Sequence, residues 1–296
     1  MDGRIGVWHP LLGRGPAQAS RQAAAKLESL GYGTLWVNEG PGSREPFAAA
    51  AILLAATRRV AVGTGIANIW ARDATAMAAG AATLGEAFEG RFILGIGVSH
   101  GVLVEDRGHT YAKPVSAMRS YLDAMDQTTT DVPTPAHPAP RLLAALRPKM
   151  LELSRDRASG AHPYFVPPEH TAKARAILGK DRLLVPEQAV LLEPDPSTAR
   201  QIARAHMHHY LQLPNYTNNL KDLGFTEADL ADGGSNRLVD AIVAWGTEES
   251  VAKRVQAHWD AGADHVALQP LSPERPNLDH ALTQLEHLAP ALALQP

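Results

Sequence analysis

Short apolar runs alternate along the whole chain with longer amphipathic segments that are rich in alanine and leucine. This alternation is typical of a parallel sheet covered by helices. Eight strands with a helix after each is the count of a (β/α)8 barrel, whereas an open doubly wound sheet usually has fewer units. The predicted strands begin near Ile5, Leu35, Ala61, Phe92, Arg141, Pro163, Leu183 and Val266.

The segments between these strands predict the helices of the barrel. Pro46 and Pro148 stand where a first helical turn tolerates a missing N–H, and Gly31 and Gly179 stand where a helix would end. Residues 214–237 are irregular and predict an excursion of short helices after the seventh strand. No segment reads as an interdomain linker, so residues 1–296 are predicted to form a single domain. The predicted helices span residues 17–30, 46–57, 74–88, 115–127, 148–157, 169–178, 197–211, 248–261 and 279–292.

Composition excludes several classes of protein. The absence of cysteine excludes disulfides, thiolate catalysis and cysteine-ligated metals, and a net charge of -3 gives no footprint for nucleic acid. In the histidine-rich run near residue 206, only His206 and His209 share a helix face, so no metal site is expected. The N-terminus lacks the apolar core of a signal peptide, and no run is long enough to span a membrane. We expect a soluble cytoplasmic protein that acts on a small molecule.

The segment from Gly97 to Gly101 matches G-x-S-x-G, the nucleophile elbow of serine hydrolases. An elbow requires a helix that starts at the serine, and Gly108 and Pro114 exclude a continuous helix after Ser99. In a barrel, this segment lies at the catalytic face in any case, because the active site forms at the carboxyl ends of the strands. A serine hydrolase that uses Ser99 is therefore the minor alternative.

Four segments together carry a family resemblance: LGYGTLWVNEG, REPFAAAAILLAATRRVAVGTGIANIW, EGRFILGIGVSHG and WDAGADHVALQPL. They resemble the luciferase-like monooxygenase superfamily, in particular its coenzyme F-420-dependent oxidoreductases. The resemblance covers nearly the whole chain and is weakest across residues 214–237. It implies a luciferase-like TIM barrel whose strand ends bind coenzyme F-420, a deazaflavin that carries the hydride. It leaves an FMN-dependent monooxygenase as the alternative, and it implies a homodimer as the expected assembly.

The resemblance also implies which residues contact the cofactor. The third strand of similar proteins carries a bulge with a cis peptide bond that does not involve proline, which by position is the bond from Gly65 to Ile66. The alternative is that these positions are ordinary strand ends and barrel core. The helix after the sixth strand could take the phosphate, although its prolines make that loop a poor phosphate site. The expected contacts are Gly65, Ile66, Ala67, Asn68, Val98, Ser99, Ala144, Ala145 and Tyr164.

The residues that would handle a proton depart from the pattern that the resemblance implies. Related deazaflavin enzymes commonly have a histidine at the end of the second strand and a glutamate after the fourth, whereas this chain has Glu39 and His100 there. The pair could keep its acid and base functions with the members exchanged, and His9 is a third candidate. Alternatively, Glu39 pairs with Arg44 or caps a loop, His100 is a solvated loop residue, and His9 is structural.

Overall fold

The computed structural model describes residues 3–129 and 131–295, and its strands form one parallel sheet that curls into a barrel. The order along the sheet is β10-β9-β11-β1-β2-β3-β5-β6-β7-β8, and β4 pairs with β5. The strands are β1 Ile5–Trp8, β2 Thr34–Val37, β3 Ala61–Thr64, β4 Ala67–Asn68, β5 Phe92–Gly97, β6 Arg141–Leu143, β7 Gly160–Ala161, β8 Leu183–Leu184, β9 Glu187–Leu191, β10 Val243–Trp245 and β11 Val266–Pro270.

Two of the barrel strands are each divided into two parts. Only Val185 and Pro186 separate β8, which pairs with β7, from β9, which pairs with β11. In the same way, β3 and β4 are the two parts of the third barrel strand. The barrel therefore has eight strands when each divided strand is counted once, and the predicted (β/α)8 fold is confirmed. The additional strand β10 pairs with β9 and was not predicted.

The helices cover the outside of the barrel, and several begin with proline, whose fixed φ suits the first turn. None of the helices in the described residues has the length and apolar character needed to cross a membrane. The helices are α1 Pro10–Arg14, α2 Ala17–Ser29, α3 Pro46–Leu54, α4 Ala74–Ala87, α5 Gly101–Glu105, α6 Pro114–Asp126, α7 Pro148–Arg157, α8 Pro168–Leu178, α9 Pro196–Tyr210, α10 Pro214–Asp222, α11 Glu227–Leu230, α12 Asn236–Ile242, α13 Glu248–Asp260 and α14 Leu278–Ala291.

The sixth strand was predicted at the wrong place, because it begins at Gly160 and not near Pro163. Ser159 N donates to Arg141 O at 2.8 Å, so the chain joins the sheet directly after α7 ends. The apolar run that suggested a strand, residues 163–167, is instead a loop. The helices α9 to α12 pack over this loop and bury it in a separate cluster that includes Phe165. Residues 214–237 do form short helices, as predicted.

Glycine residues give space to two tryptophan rings inside the barrel. A Cβ atom on Gly63 would lie 2.4 Å from Trp36 Cζ3, and one on Gly65 would lie 2.7 Å from Trp8 Nε1. Each indole N–H has a partner: Trp36 Nε1 donates to Thr34 Oγ1 at 2.7 Å, and Trp8 Nε1 donates to Gly65 O at 3.2 Å. Glycine on β3 and at its end is therefore a packing requirement of the indoles on β1 and β2.

This requirement predicts the effect of a single methyl group. We expect Gly63→Ala to lower the free energy of unfolding by about 1–3 kcal/mol, because Trp36 is fully enclosed and must shift. The matched control is Gly101→Ala, whose Cβ would have an ordinary contact of 3.6 Å with Tyr111. Urea denaturation of both variants is the measurement, and an equal loss of stability in the two would contradict the packing argument.

Candidate active site

An accessible surface of small, uncharged side chains lies at the carboxyl ends of β3, β5 and β6. The peptide bond between Gly65 and Ile66 is cis, at the position that the resemblance implies. A Cβ on Gly97 would lie 2.5 Å from Ile66 Cδ1 and 3.3 Å from Ala144 Cβ, so glycine gives the Ile66 side chain its space. We call the half-buried residues at these ends the strand-end surface: Gly65, Ile66, Val98, Ser99 and Ala144.

Four of the expected cofactor contacts lie off this surface: Tyr164 is in the loop after β7, and the other three are buried. Ala67 and Ala145 are 0% and 2% exposed and belong to the core between the strands and the helices. Asn68 is also buried, and its Oδ1 accepts a hydrogen bond from Trp70 N at 3.0 Å. These three buried residues support the strand ends from behind, which for Ala145 matches the barrel-core alternative.

Glu39 is held by donors on both of its carboxylate oxygens. Oε2 accepts from Asn68 N at 2.7 Å and from Arg72 Nη1 at 2.9 Å, and Oε1 accepts from Arg72 Nη2 at 2.8 Å. The ion-pair partner is thus Arg72 and not Arg44, which donates to Gly15 O. The bidentate pair fixes the carboxylate and joins the end of β2 to β4 and to the residues before α4.

The two candidate histidines have different surroundings. The His100 ring lies 5.3 Å from the Tyr216 ring, and burial together with the nearby His209 lowers the pKa of His100. Within the described residues, no hydrogen bond joins His100 to Glu39. Burial lowers the pKa of His9 to about 4, and its Nδ1 accepts from the backbone of α1 at 3.3 Å. His9 therefore caps a helix as a neutral ring, which agrees with the structural alternative.

Aromatic rings line the other side of the barrel mouth, the opening at the carboxyl ends of the strands. The ring of Tyr164 lies 5.4 Å from Trp8 and 5.3 Å from Tyr210, and Tyr210 lies 5.4 Å from Tyr216. Phe165 packs 5.0 Å from Tyr210 behind them. We call these five residues the aromatic wall. Of its members, only Tyr164 was identified from the sequence, because Tyr210 lies at the end of the helix α9 and Tyr216 lies in the excursion.

A chain of hydrogen bonds runs through this wall. The hydroxyl of Tyr164 donates to Gln269 Oε1 at 2.7 Å, and the hydroxyl groups of Tyr164 and Tyr210 are 2.7 Å apart. Because Tyr164 uses its only proton on Gln269, the Tyr210 hydroxyl is the donor between the two phenols. The chain links α9, the loop after β7, and β11, and it orients the side chain at the end of the eighth barrel strand.

Glu187 is a buried carboxyl group next to the aromatic wall. It is 2% exposed, its Oε2 accepts from Phe165 N at 3.1 Å, and its Oε1 has no hydrogen-bond partner among the described residues. Burial raises the pKa of Glu187 to about 8, so the group keeps its proton at neutral pH. The bond to Phe165 N supports a left-handed turn, since Phe165 has a φ of 61°.

Glu187 and Gln269 were missed in the sequence analysis, although the sequence carries a signal for both. Each is the polar member of an apolar strand run, LLVPEQAVLL for Glu187 and VALQPL for Gln269. Polar side chains are uncommon in parallel strands that are buried on both faces. Such a residue therefore indicates either a structural hydrogen bond or a site.

Ser99 has one feature of a nucleophile elbow, a φ of 58°. The sequence analysis expected no continuous helix after it, and the structure has the short helix α5 beginning two residues later, which ends before Gly108 with its φ of 80°. Among the described residues, Ser99 Oγ makes no hydrogen bond to a histidine or a carboxylate. The serine therefore lacks the partner that would activate it.

Two cavities lie away from the mouth. One of about 840 Å³ includes Arg141, the first residue of β6, and lies toward the amino ends of the strands. The other, of about 420 Å³, lies between β10 and α13 and includes Lys253.

The parallel barrel and its accessible strand ends define a (β/α)8 barrel protein whose site lies at the carboxyl face of the sheet. The chain belongs to the luciferase-like monooxygenase family, because the model of that family matches residues 5–265.

Two relatives illustrate the sequence similarity. A protein of Mycobacterium tuberculosis named as a coenzyme F-420-dependent oxidoreductase is 34% identical over 125 residues, which are 42% of this chain and 35% of that protein. The 5,10-methylenetetrahydromethanopterin reductase of Archaeoglobus fulgidus is 24% identical over 84% of this chain and 88% of its own length.

Solved structures share the fold at low identity. An F-420-dependent secondary alcohol dehydrogenase has a TM-score of 0.76 at 15% identity, with 99% of each chain covered. The tetrahydromethanopterin reductase of Methanopyrus kandleri has a TM-score of 0.75 at 15% identity, over 99% of this chain and 100% of that chain. The FMN-bound oxygenating component of 3,6-diketocamphane monooxygenase from Pseudomonas putida has a TM-score of 0.73 at 14% identity, over 98% of both chains. At these identities, the comparison shows the fold.

The buried Glu187 predicts an unusual dependence of stability on pH. Its ordinary pKa is 4.5 and its folded pKa is about 8, so between these values the unfolded chain loses a proton that the folded chain keeps. The contribution of Glu187 to stability therefore falls as pH rises through this window, by at most about 1.4 kcal/mol per pH unit. Glu187→Gln keeps an acceptor for Phe165 N, and we expect it to be more stable than wild type at pH 8.

Urea denaturation from pH 5 to pH 8 checks this prediction. The matched control is Glu86→Gln, an exposed glutamate on α4. If the wild-type and Glu187→Gln proteins show the same pH slope, Glu187 is ionised in the folded protein and the prediction is wrong.

Proposed function

We propose that this protein is a coenzyme F-420-dependent oxidoreductase that transfers a hydride to or from a small organic substrate. The observation that carries the proposal is the strand-end surface, whose residues are uncharged and only half-buried at the carboxyl ends of the strands. When bound, the deazaflavin supplies the hydride chemistry, so the protein requires no nucleophile of its own.

The residues present fit a planar ring but not every part of the cofactor. The half-buried side chains of Ile66, Val98 and Ala144 present an uncharged, apolar face to a flat ring. The start of α8 is a weaker candidate for a phosphate, because Pro167 and Pro168 have no N–H, and His170 N and Thr171 N already donate to Pro167 O. We therefore assign the ring to the strand-end surface and leave α8 out of the proposed site.

The relatives support the deazaflavin and keep FMN as the second candidate. The two sequence relatives are named as a coenzyme F-420-dependent oxidoreductase and as a 5,10-methylenetetrahydromethanopterin reductase. FMN stays in consideration because one structural neighbour is a monooxygenase bound to FMN. The two candidates differ in whether the reduced ring is expected to react with oxygen.

We assign the proton to His100 and a positioning role to Glu39. His100 is half-buried beside the strand-end surface, and its lowered pKa leaves a neutral ring that can accept a proton near neutral pH. Glu39 uses both oxygens on Asn68 and Arg72 and orients β4 through them. That Glu39 itself transfers a proton stays a prediction, as does a catalytic role of His9.

The cofactor assignment predicts the result of a direct titration. We expect the protein to bind coenzyme F-420 more tightly than FMN, followed by fluorescence and absorbance. Gly97→Val would place methyl groups against Ile66 and should weaken binding at least ~10-fold, the factor produced by 1.4 kcal/mol of lost interaction. Gly101→Ala is the matched control, because its Cβ would make only an ordinary contact of 3.6 Å with Tyr111. Tight FMN binding without deazaflavin binding would establish the second candidate instead.

The two roles at the mouth predict different kinetic effects. His100→Ala should lower kcat by about 10²-fold, the usual contribution of a general acid or base, with little change in cofactor affinity. Glu39→Gln should mainly weaken cofactor binding, because it loosens β4. The matched control is His109→Ala, an exposed histidine beyond α5. Near wild-type kcat for His100→Ala across pH 5 to 9 would rule out its proton role.

A further inference from the structure

The side chain of Gln269 lies on the inner face of β11, at the carboxyl end of the barrel. Ala267, two residues earlier, packs inside the barrel with Trp36 and Leu142, and side chains two apart on a strand share a face. Gln269 is 6% exposed, so it belongs to the lining of the mouth and not to the outer surface.

The hydrogen-bond chain of the aromatic wall decides which end of the Gln269 amide faces outward. Tyr164 donates to Oε1, so this oxygen is directed toward the wall. The amide nitrogen Nε2 has no hydrogen-bond partner among the described residues and is not one of the buried polar atoms that lack a partner, so it keeps access to the mouth. Two N–H donors are thus held at the end of a chain that begins at Tyr210.

Two of the three tyrosine hydroxyl groups of the aromatic wall have no hydrogen left to donate to a ligand. The hydroxyl protons of Tyr164 and Tyr210 are both used within the chain. Glu187 beside the wall keeps its proton at neutral pH, so it adds no negative charge. The remaining chemistry of the wall is apolar ring surface, the Tyr216 hydroxyl and the one N–H donor group that the chain holds in place, that of Gln269. Its complement is an uncharged, mostly apolar molecule that carries a hydrogen-bond acceptor.

We propose that Gln269 is a substrate-binding residue whose Nε2 donates a hydrogen bond to a carbonyl oxygen of an uncharged, apolar substrate packed against the aromatic wall. Tyr164 and Tyr210 are positioning residues that fix the orientation of the amide. The inference rests on the proposed function, since the wall faces the mouth at which the strand-end surface is proposed to hold the cofactor. It adds the substrate class to that function: small ketones or aldehydes, or the alcohols that they form on reduction.

The test compares two probes that differ in the carbonyl group. Acetophenone and ethylbenzene have the same ring and chain, and only acetophenone has the acceptor oxygen. We expect Gln269→Leu to weaken acetophenone binding by about 3- to 10-fold, the value of one net hydrogen bond, and to leave ethylbenzene binding unchanged. Calorimetric titration of the full chain gives both affinities without measuring turnover.

Variants of the tyrosines separate orientation from packing. Tyr164→Phe keeps the ring and removes the donor to Gln269 Oε1, so it should also weaken acetophenone binding selectively. The control is Tyr32→Phe, which removes a buried hydroxyl that donates to Leu285 O outside the wall, and it should keep the wild-type ratio of the two affinities. Tyr164→Phe also keeps the inference testable if Gln269→Leu does not fold.

The outcomes distinguish this inference from the proposed function. If acetophenone does not bind the wild-type protein, or if both probes weaken equally in Gln269→Leu and Tyr164→Phe, the inference is overturned. Titration of the same variants with coenzyme F-420 tests the function separately. Retained deazaflavin binding with lost acetophenone selectivity supports both, whereas absent deazaflavin binding with retained selectivity in the wild type rejects the function alone.

Discussion

The packing of two indole rings inside a narrow parallel barrel is the constraint on which the site depends. Trp36 and Trp8 occupy the interior only because Gly63 on β3 and Gly65 directly after it have no side chain. The same glycine that gives Trp8 its space also accepts its indole N–H, and Trp8 in turn packs against Tyr164. The strand-end surface and the aromatic wall are therefore joined through one ring, and a change at either reaches the other.

Several ionisable side chains lie inside the barrel in their uncharged form. Burial lowers the pKa of His162 and His265 to about 4, and each ring is hydrogen-bonded: His162 Nδ1 to Val185 O at 2.6 Å, and His265 Nε2 to Thr34 Oγ1 at 2.7 Å. Glu187 is neutral for the same reason. The charged pair that does lie near the mouth, Glu39 with Arg72, is internally compensated. A neutral interior suits a reaction in which the cofactor and not the protein carries the reactive group.

The barrel could be predicted from the sequence because the alternation of apolar and amphipathic segments follows the strands and helices. Much of the site could not, because it depends on contacts between distant parts of the chain. Eight apolar runs were sufficient for the fold, and the third-strand bulge at Gly65 was located through the family resemblance. The sixth strand was misplaced because a loop that is buried by the excursion has the same apolar composition as a strand. The partner of Glu39 could not be identified, since Arg44 and Arg72 are equally plausible until the fold brings one of them close. Tyr210 and Tyr216 reach the mouth through long-range packing, which the local pattern of apolar and polar residues does not predict.

The segment from α9 to α12, which contains the excursion, has a consequence for how the substrate preference of such an enzyme diversifies. It supplies Tyr210 and Tyr216, while the strand-end surface and His100 come from residues 65–144. The two faces of the mouth are thus encoded in separate parts of the chain. Mutations in this segment change the wall directly and reach the other face of the mouth through the contacts of Tyr164 with Trp8 and of Tyr216 with His100. Exchange of residues 196–242 between relatives would therefore replace two rings of the wall and leave Tyr164, Gln269 and the strand-end surface in place.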